Sequence, residues 1–398
     1  MAPPAGLVGQ EPRPSKESNI PPLSTTTFTT LTSRSQKPAV NALPSRFKLG
    51  YRPELDGLRG ISILLVFIHH LYPPALPGGF LGVDIFFVLS GFLITSLLTE
   101  EFSRAGSIRL KDFYIRRALR LMPALLALIS ITALFGLIFL RNPWVKETYQ
   151  GIWLSLSYVS NWFYAFKYAS ADNPLGITWS LAIEEQFYLV WPLVLSNLLV
   201  CRLRTRWILY YLTLAIVLIA LHRKLLWAHE VFVGRLYYAS DTRADSLLMG
   251  CLVGIIISKG PWLSRESFEP YLKFLAGVGF IFLTYMILTA DWRDPMLYQC
   301  GGFTLIAIAL AVILMVIVLS PPKPVLLILR FTPLVWFGQI SYGLYLWHWC
   351  LRFFVYGKQS IPPSVTHFVV AVVFSLTVPA LSYYFVEKPF LRLKKRFT

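Results

Sequence analysis

The chain has 398 residues, of which 56% are apolar and only 14% charged, with a mean hydropathy of +0.58. Soluble globular chains run about 45–50% apolar and about 25% charged, and the surplus here falls in blocks of roughly 15 to 25 residues, the length that crosses a bilayer as a helix; a soluble enzyme is excluded. A formal charge of +17 would suggest nucleic acid in a soluble protein, but these basic residues stand between apolar blocks. There they read as topology signals, and no nucleic-acid partner is expected.

Residues 1–50, rich in Pro, Ser and Thr, read as a disordered cytoplasmic tail. No apolar run in them is long enough for a signal-peptide core. Apolar segments follow at about 57–72, 80–99, 117–140, 151–166, 178–200, 208–222, 242–258, 272–290, 300–319, 333–356 and 364–386. The segment 151–166 is short and carries several Ser and Asn residues, so it reads as interfacial or re-entrant. The expected fold class is an all-α polytopic membrane protein of about ten transmembrane helices plus that short helix. Residues 51–390 form its transmembrane domain, and residues 391–398 a basic cytoplasmic C-terminus. With the N-terminus inside, 25 of the Lys and Arg residues are counted to the inner side and 10 to the outer, with Arg59 and Lys273, within spans, assigned to neither. Counting 151–166 as a crossing would put Arg202, Arg204, Arg206 and the basic C-terminus outside, so the topology reads N-in and C-in. The four cysteines, Cys201, Cys251, Cys300 and Cys350, show no CxxC pairing and no metal-ligand spacing; they read as packing residues, and no metal is expected.

Ionisable residues inside spans are expensive in hydrocarbon and are functional candidates by default. The first span carries Arg59 near its inner end and His69 and His70 near its outer end. Eleven residues at about 100° each return Arg59 and His70 to one helical face, about 16 Å apart along the axis, while His69 turns about 80° away. That separation suits a phosphate anchor at one end and a thioester at the other; the alternative is that the histidines cap the helix at the headgroup level. Asp84 opens the next span close to the level of His70, where a carboxylate could orient an imidazole or favour the helix dipole. WSLAIEEQFYL buries Glu184 and Glu185 one to two turns deep, and Glu184 is preferred as the inward-pointing acid. DTRADSLLMG brings Asp241, Arg243 and Asp245 to the same layer, and ISYGLYLWHW brings His348. Together His70, Asp84, Glu184, Arg243, Asp245 and His348 are expected to ring one cavity opening outward, with Arg243, Asp245 and His348 binding substrate. A buried ion pair is the competing reading for Arg243 and Asp245.

The inner layer is basic. FYIRRALRLMP sets Arg116 and Arg120 four residues apart on one helical face, with Arg117 beside them. Guanidinium groups grip phosphate bidentately, so this cluster with Arg59 could hold a nucleotide 3′-phosphate and pyrophosphate; anchoring against anionic lipid is the alternative.

These residues carry a resemblance. LDGLRG followed by His70, then GGFLGVDIFFVLSGFLIT, FYIRRALRLMP, WSLAIEEQFYL, DTRADSLLMG, ISYGLYLWH and FVEKPF, in order from residue 52 to about 390, are similar to the membrane-bound acyltransferase-3 family. The resemblance implies transfer of acetyl or another short acyl group from acyl-CoA to a hydroxyl of a sugar, polysaccharide or glycosylated small molecule. Its Arg-x10-His motif falls on Arg59 and His70, implying His70 as catalytic base, and its Arg-x3-Arg motif on Arg116 and Arg120, implying a donor-binding role. Asp84 and Glu184 are expected to match family acidic positions. Some members continue into an extracytoplasmic hydrolase-like domain; none is expected here, so the membrane domain would carry the whole transfer. The implied location is multi-pass in the cell (inner) membrane. A transporter or exporter of a small polar or glycosylated substrate, using the same buried charges, is the rival from another class.

Overall fold

In the computed structural model the described residues are 48–138, 145–259 and 268–393. Most of the expected tail, 1–47, and the end of the basic C-terminus, 394–398, lie outside them. Among the described residues every regular element is helical. In chain order they are α1 (Pro53–Leu71), α2 (Gly82–Ala105), α3 (Leu110–Ile138), α4 (Val145–Leu156), α5 (Ser160–Ala165), α6 (Thr178–Val200), α7 (Thr205–Ala228), α8 (Val233–Tyr238) and α9 (Ser240–Lys259). The chain continues through α10 (Glu269–Thr289), α11 (Pro295–Gln299), α12 (Gly302–Leu319), α13 (Lys323–Leu329), α14 (Thr332–Gln339), α15 (Ser341–Tyr356), α16 (Val365–Ser382) and α17 (Lys388–Leu393).

Among the described residues six segments are long and apolar enough to cross a membrane: 77–105, 110–138, 205–228, 269–289, 302–319 and 365–393. In those centred on α7, α10 and α16 only 22% of the most apolar stretch is buried. Side chains such as Phe274 and Ile281 on α10 are 70% and 71% exposed, and an outward face of this kind needs hydrocarbon around it. The chain is an integral membrane protein. By contrast α2, 78% buried over its apolar stretch, runs through the interior. The helices α1, α6, α9 and α15 fall outside the six. Of these, α1 and α9 carry both acids and bases, α6 carries Glu184 and Glu185, and α15 has 16 residues.

The segment 151–166 does not form one crossing: it is divided between α4 and α5 at Tyr158, which takes a left-handed φ of 53°. The apolar run 333–356 is likewise broken, at Ile340 between α14 and α15. The interior helices approach backbone to backbone, the membrane mode of packing that small residues permit. Gly91 of α2 sits against the Leu247 carbonyl of α9, and Gly250 of α9 against the Val88 carbonyl of α2. In the same way Gly338 of α14 touches the Asp56 carbonyl of α1. Pro53 at the first position of α1, with Glu54 and Asp56 in its first turn, suits a helix N-terminus, whose free N–H groups favour negative charge.

Candidate active site

A cavity of about 230 Å³ lies between α1, α2, α3, α6 and α15. Arg59 reaches it from α1, Arg117 and Arg120 from α3, Glu184 and Tyr188 from α6, and Ser90 from α2. None of the three arginines makes an ion pair within 4 Å among the described residues, although Glu184 shares their wall. The Glu184 carboxylate accepts from Ser90 Oγ at 2.7 Å, and Ser90 in turn accepts from Tyr188 Oη at 3.0 Å. The Arg117 guanidinium rests against the rings of Phe113 and Tyr188, at 5.5 and 5.4 Å. Three such arginines against the two carboxylates of the lining, Asp56 and Glu184, leave a wall with excess positive charge.

Arg116 is turned elsewhere. Its Nη2 pairs with Glu101 at 3.4 Å, and it is absent from the cavity wall. Neighbouring residues on a helix diverge by about 100°, so Arg117 and Arg120, three apart, share the inward side, and the expected fourfold cluster becomes a threefold one.

At the other end of α1, His70 meets His348 of α15. His70 Nδ1 and His348 Nε2 are 3.0 Å apart, and His348 Nδ1 is 2.8 Å from the Leu344 carbonyl. His348 is fully buried, and Trp349 sets its ring edge-on to His70 at 4.9 Å. His69 turns away, as the helix arithmetic requires, and its Nδ1 is held by the Leu76 carbonyl at 3.1 Å. The two centres are bridged by α15. Tyr345 lines the arginine cavity beside Ser180, and its ring lies 6.0 Å from that of His348 one turn further on. Arg59 and His70 therefore sit on one helix about 16 Å apart along its axis, with Arg117 and Arg120 joining from α3 and His348 from α15.

Residues 52–384 match the acyltransferase domain family. The chain belongs to the acyltransferase-3 family. It is 36% identical over 359 residues to a Bacillus subtilis protein named "Putative peptidoglycan O-acetyltransferase YrhL", covering 85% of this chain and 55% of that protein. It is 33% identical over 357 residues to the peptidoglycan O-acetyltransferase OatA of Listeria monocytogenes, covering 87% of this chain and 56% of that one. The chain thus spans about half the length of these relatives. No solved structure matches it.

In this acyltransferase-3 chain the single outward ring expected of six residues divides into separate groups. Asp84 does not meet His70: Arg243 Nη2 donates to both its oxygens at 3.0 Å, and Ser246 Oγ donates at 3.1 Å. Arg243 and Asp245 do not pair with each other. Two residues on a helix diverge by about 200°, so Arg243 faces α2 while Asp245 faces α7 and α12. There Asp245 accepts from Arg223 Nη2 at 2.9 Å and Thr304 Oγ1 at 2.7 Å. Both couples are buried, and partnered buried charges of this kind bind helices to one another. Glu184 belongs to the arginine cavity and not to the histidine layer.

Sequence reasoning missed Arg223, because its partner lies 22 residues away on another helix. It also missed Tyr345, Ser180 and Ser90 on the cavity wall, although the spacings Tyr345–His348 and Ser180–Glu184 are the i,i+3 and i,i+4 pairs that share a helix face. Glu387, in FVEKPF, is a further buried acid. A π-turn over Tyr383–Glu387 brings it against Gly343 of α15, and such turns interrupt helices at functional sites disproportionately often. Among the described residues no group of His, Cys, Asp and Glu could hold a metal ion.

Proposed function

We propose that the protein is a membrane O-acyltransferase that moves a short acyl group, acetyl foremost, from acyl-CoA to a hydroxyl of a sugar or polysaccharide. The observation that carries this reading is the cavity where Arg59, Arg117 and Arg120 make no ion pair among the described residues, with Arg59 on the same helix as His70 of the His70–His348 pair. The nucleotide phosphates of acyl-CoA rest on the three guanidiniums, entering from the end of α1 that carries Leu49 to Arg52. The pantetheine arm follows α1 past Tyr345, which brings the thioester toward His70.

His70 Nε2 takes the proton of the acceptor hydroxyl as its oxygen bonds to the thioester carbonyl carbon. The carbon–sulfur bond then breaks, and the departing thiolate takes the proton from the imidazolium. The ester and free CoA are the products, and His70 returns to its neutral form. Glu184 balances the arginine wall when the cavity is empty. The acceptor class rests on the relatives named for peptidoglycan O-acetylation. The proposed topology is ten spans with both termini inside, in the cell membrane, so that donor and acceptor approach from opposite sides.

The test is comparative mass spectrometry of cell-wall glycans and metabolites from cells with the intact protein, with His70→Ala, and without the gene. A mass increment of one acyl group that needs both the protein and His70 supports the reading. An increment that survives His70→Ala at matched protein level removes the base. No protein-dependent acylation at all turns the assignment toward transport.

A further inference from the structure

We infer that His348 is the positioning residue of the His70 base, holding it in the tautomer that presents its Nε2 lone pair to the acceptor hydroxyl. The inference rests on the reading of His70 as the general base. It follows from counting hydrogens along three atoms. A backbone carbonyl only accepts, so His348 Nδ1, 2.8 Å from the Leu344 carbonyl, carries the N–H. A neutral imidazole has one N–H, so His348 Nε2 is a lone pair. It lies 3.0 Å from His70 Nδ1, which must therefore be the donor. The N–H of His70 is then spent on its inner edge, and Nε2 is left unprotonated, with no hydrogen bond among the described residues. The two rings are tilted by only 30° with centroids 5.2 Å apart, so at this nitrogen separation they meet edge to edge, as an in-plane N–H···N bond requires.

The pair is built to stay in this register. Leu344 and His348 are one turn apart on α15, so the helix itself supplies the carbonyl that fixes the first tautomer. Phe67 of α1 packs edge-on to His348 at 6.0 Å, and Trp349 packs edge-on to His70 at 4.9 Å. A carboxylate commonly orients a catalytic histidine, but none among the described residues is hydrogen-bonded to either ring, and Asp84, expected beside His70, is engaged by Arg243 and Ser246. When His70 accepts the substrate proton, its Nδ1–H becomes an imidazolium donor to the His348 lone pair, a charge-assisted bond stronger than the neutral one it replaces. His348 thereby favours the protonated state without placing a permanent charge in the membrane interior.

The test uses the full-length protein in lipid nanodiscs, with acetyl-CoA as donor and soluble peptidoglycan fragments as acceptor, and compares His348→Leu with His348→Gln. Gln can return an oxygen acceptor to His70 Nδ1–H; Leu cannot. His348→Leu is expected to lower kcat by about 10²-fold with the KM for acetyl-CoA within about threefold, and His348→Gln to recover turnover to within about tenfold of wild type. Nitrogen NMR of the [15N]histidine-labelled protein gives a readout independent of turnover: with six histidines, the signals lost in His70→Ala and His348→Gln identify the pair. Both should be Nδ1–H tautomers. Wild-type turnover in His348→Leu, equal loss in both variants, or a His70 Nε2–H tautomer overturns the inference while leaving the acyltransferase reading standing. Undiminished transfer in His70→Ala overturns both.

Discussion

The arginine cavity makes a prediction that separates geometry from motif. The family's Arg-x3-Arg motif falls on Arg116 and Arg120, whereas the cavity wall carries Arg117 and Arg120. If the wall binds the donor phosphates, Arg117→Gln removes one charge-assisted hydrogen bond to an anion, worth about 1.5–3 kcal/mol. At about 1.4 kcal/mol per tenfold, the dissociation constant for acetyl-CoA rises roughly 10- to 100-fold. Arg116→Gln breaks the 3.4 Å pair with Glu101, whose two side chains keep 16% and 11% of their surface exposed. Glu101 keeps the Arg109 backbone N–H at 2.9 Å, and Arg116 is absent from the cavity wall, so acetyl-CoA binding should stay within about threefold of wild type. The assay is calorimetric titration of acetyl-CoA into purified protein in nanodiscs, at low and high salt. The Debye length shortens from about 10 Å at 0.1 M to about 3 Å at 1 M, so wild type should weaken with salt more steeply than Arg117→Gln. The reasoning is refuted if Arg116→Gln weakens binding more than Arg117→Gln does, or if Arg117→Gln, still monodisperse, binds within twofold of wild type.

Replacing His70 by Ala is expected to lower acyl transfer by about 10²- to 10⁴-fold, the usual contribution of a positioned base, with acetyl-CoA binding retained, as read by turnover beside titration. Asp84→Ala strands the Arg243 guanidinium in a buried site and should cost about 3–5 kcal/mol of stability; thermal unfolding in detergent checks it, and Asp84→Leu combined with Arg243→Met should recover part of the loss. Gly91→Leu puts a side chain where the Leu247 carbonyl of α9 stands and should abolish the folded protein, judged by monodisperse yield, while Gly277→Leu, whose β-carbon position is open, should be tolerated. In a cysteine-free background, a cysteine at Lys111 should react with impermeant maleimide only after the membrane is opened from inside, and one at Lys146 in intact cells; the reverse pattern would refute N-in.

Much of the helix layout was legible because the constraint that sets it is local. A run of apolar residues long enough to cross hydrocarbon must be helical, and segments such as 178–200 and 300–319 coincide almost residue for residue with α6 and α12. The Ser and Asn residues around Tyr158 set 151–166 apart from a full crossing, but the break at Ile340 was not legible, because apolar content continues through it; there Gly338 lets α14 lie directly on the α1 backbone. The face shared by Arg59 and His70 follows from helical pitch alone. Partner choice does not. Asp84 and Arg243 are 159 residues apart, and nothing near Asp84 in sequence says that its carboxylate will be taken by α9 before it can reach α1. Arg116 and Arg117 differ by one position, and the packing of α3 turns one toward Glu101 and the other toward the cavity.

The rule that an ionisable residue in a span is functional therefore needs a second condition. Every charge withdrawn from water must be met by an opposite charge, a hydrogen-bonding shell or a ligand. Asp84 with Arg243, Asp245 with Arg223, and Glu54 with Arg330 are met inside the protein. Their energy is already committed to holding helices together, and a ligand would have to compete with a partner at close to 3 Å. Arg59, Arg117 and Arg120 share a cavity with two carboxylates, Asp56 and Glu184, and pair with neither within 4 Å. On the proposed reading, an anion entering there would gain interactions without breaking an ion pair, which the paired residues cannot offer. The same comparison applies at the histidines, where the pair is internally satisfied on one side and open on the other. Loss of partner, rather than burial or charge alone, separates the residues placed to act from those placed to hold.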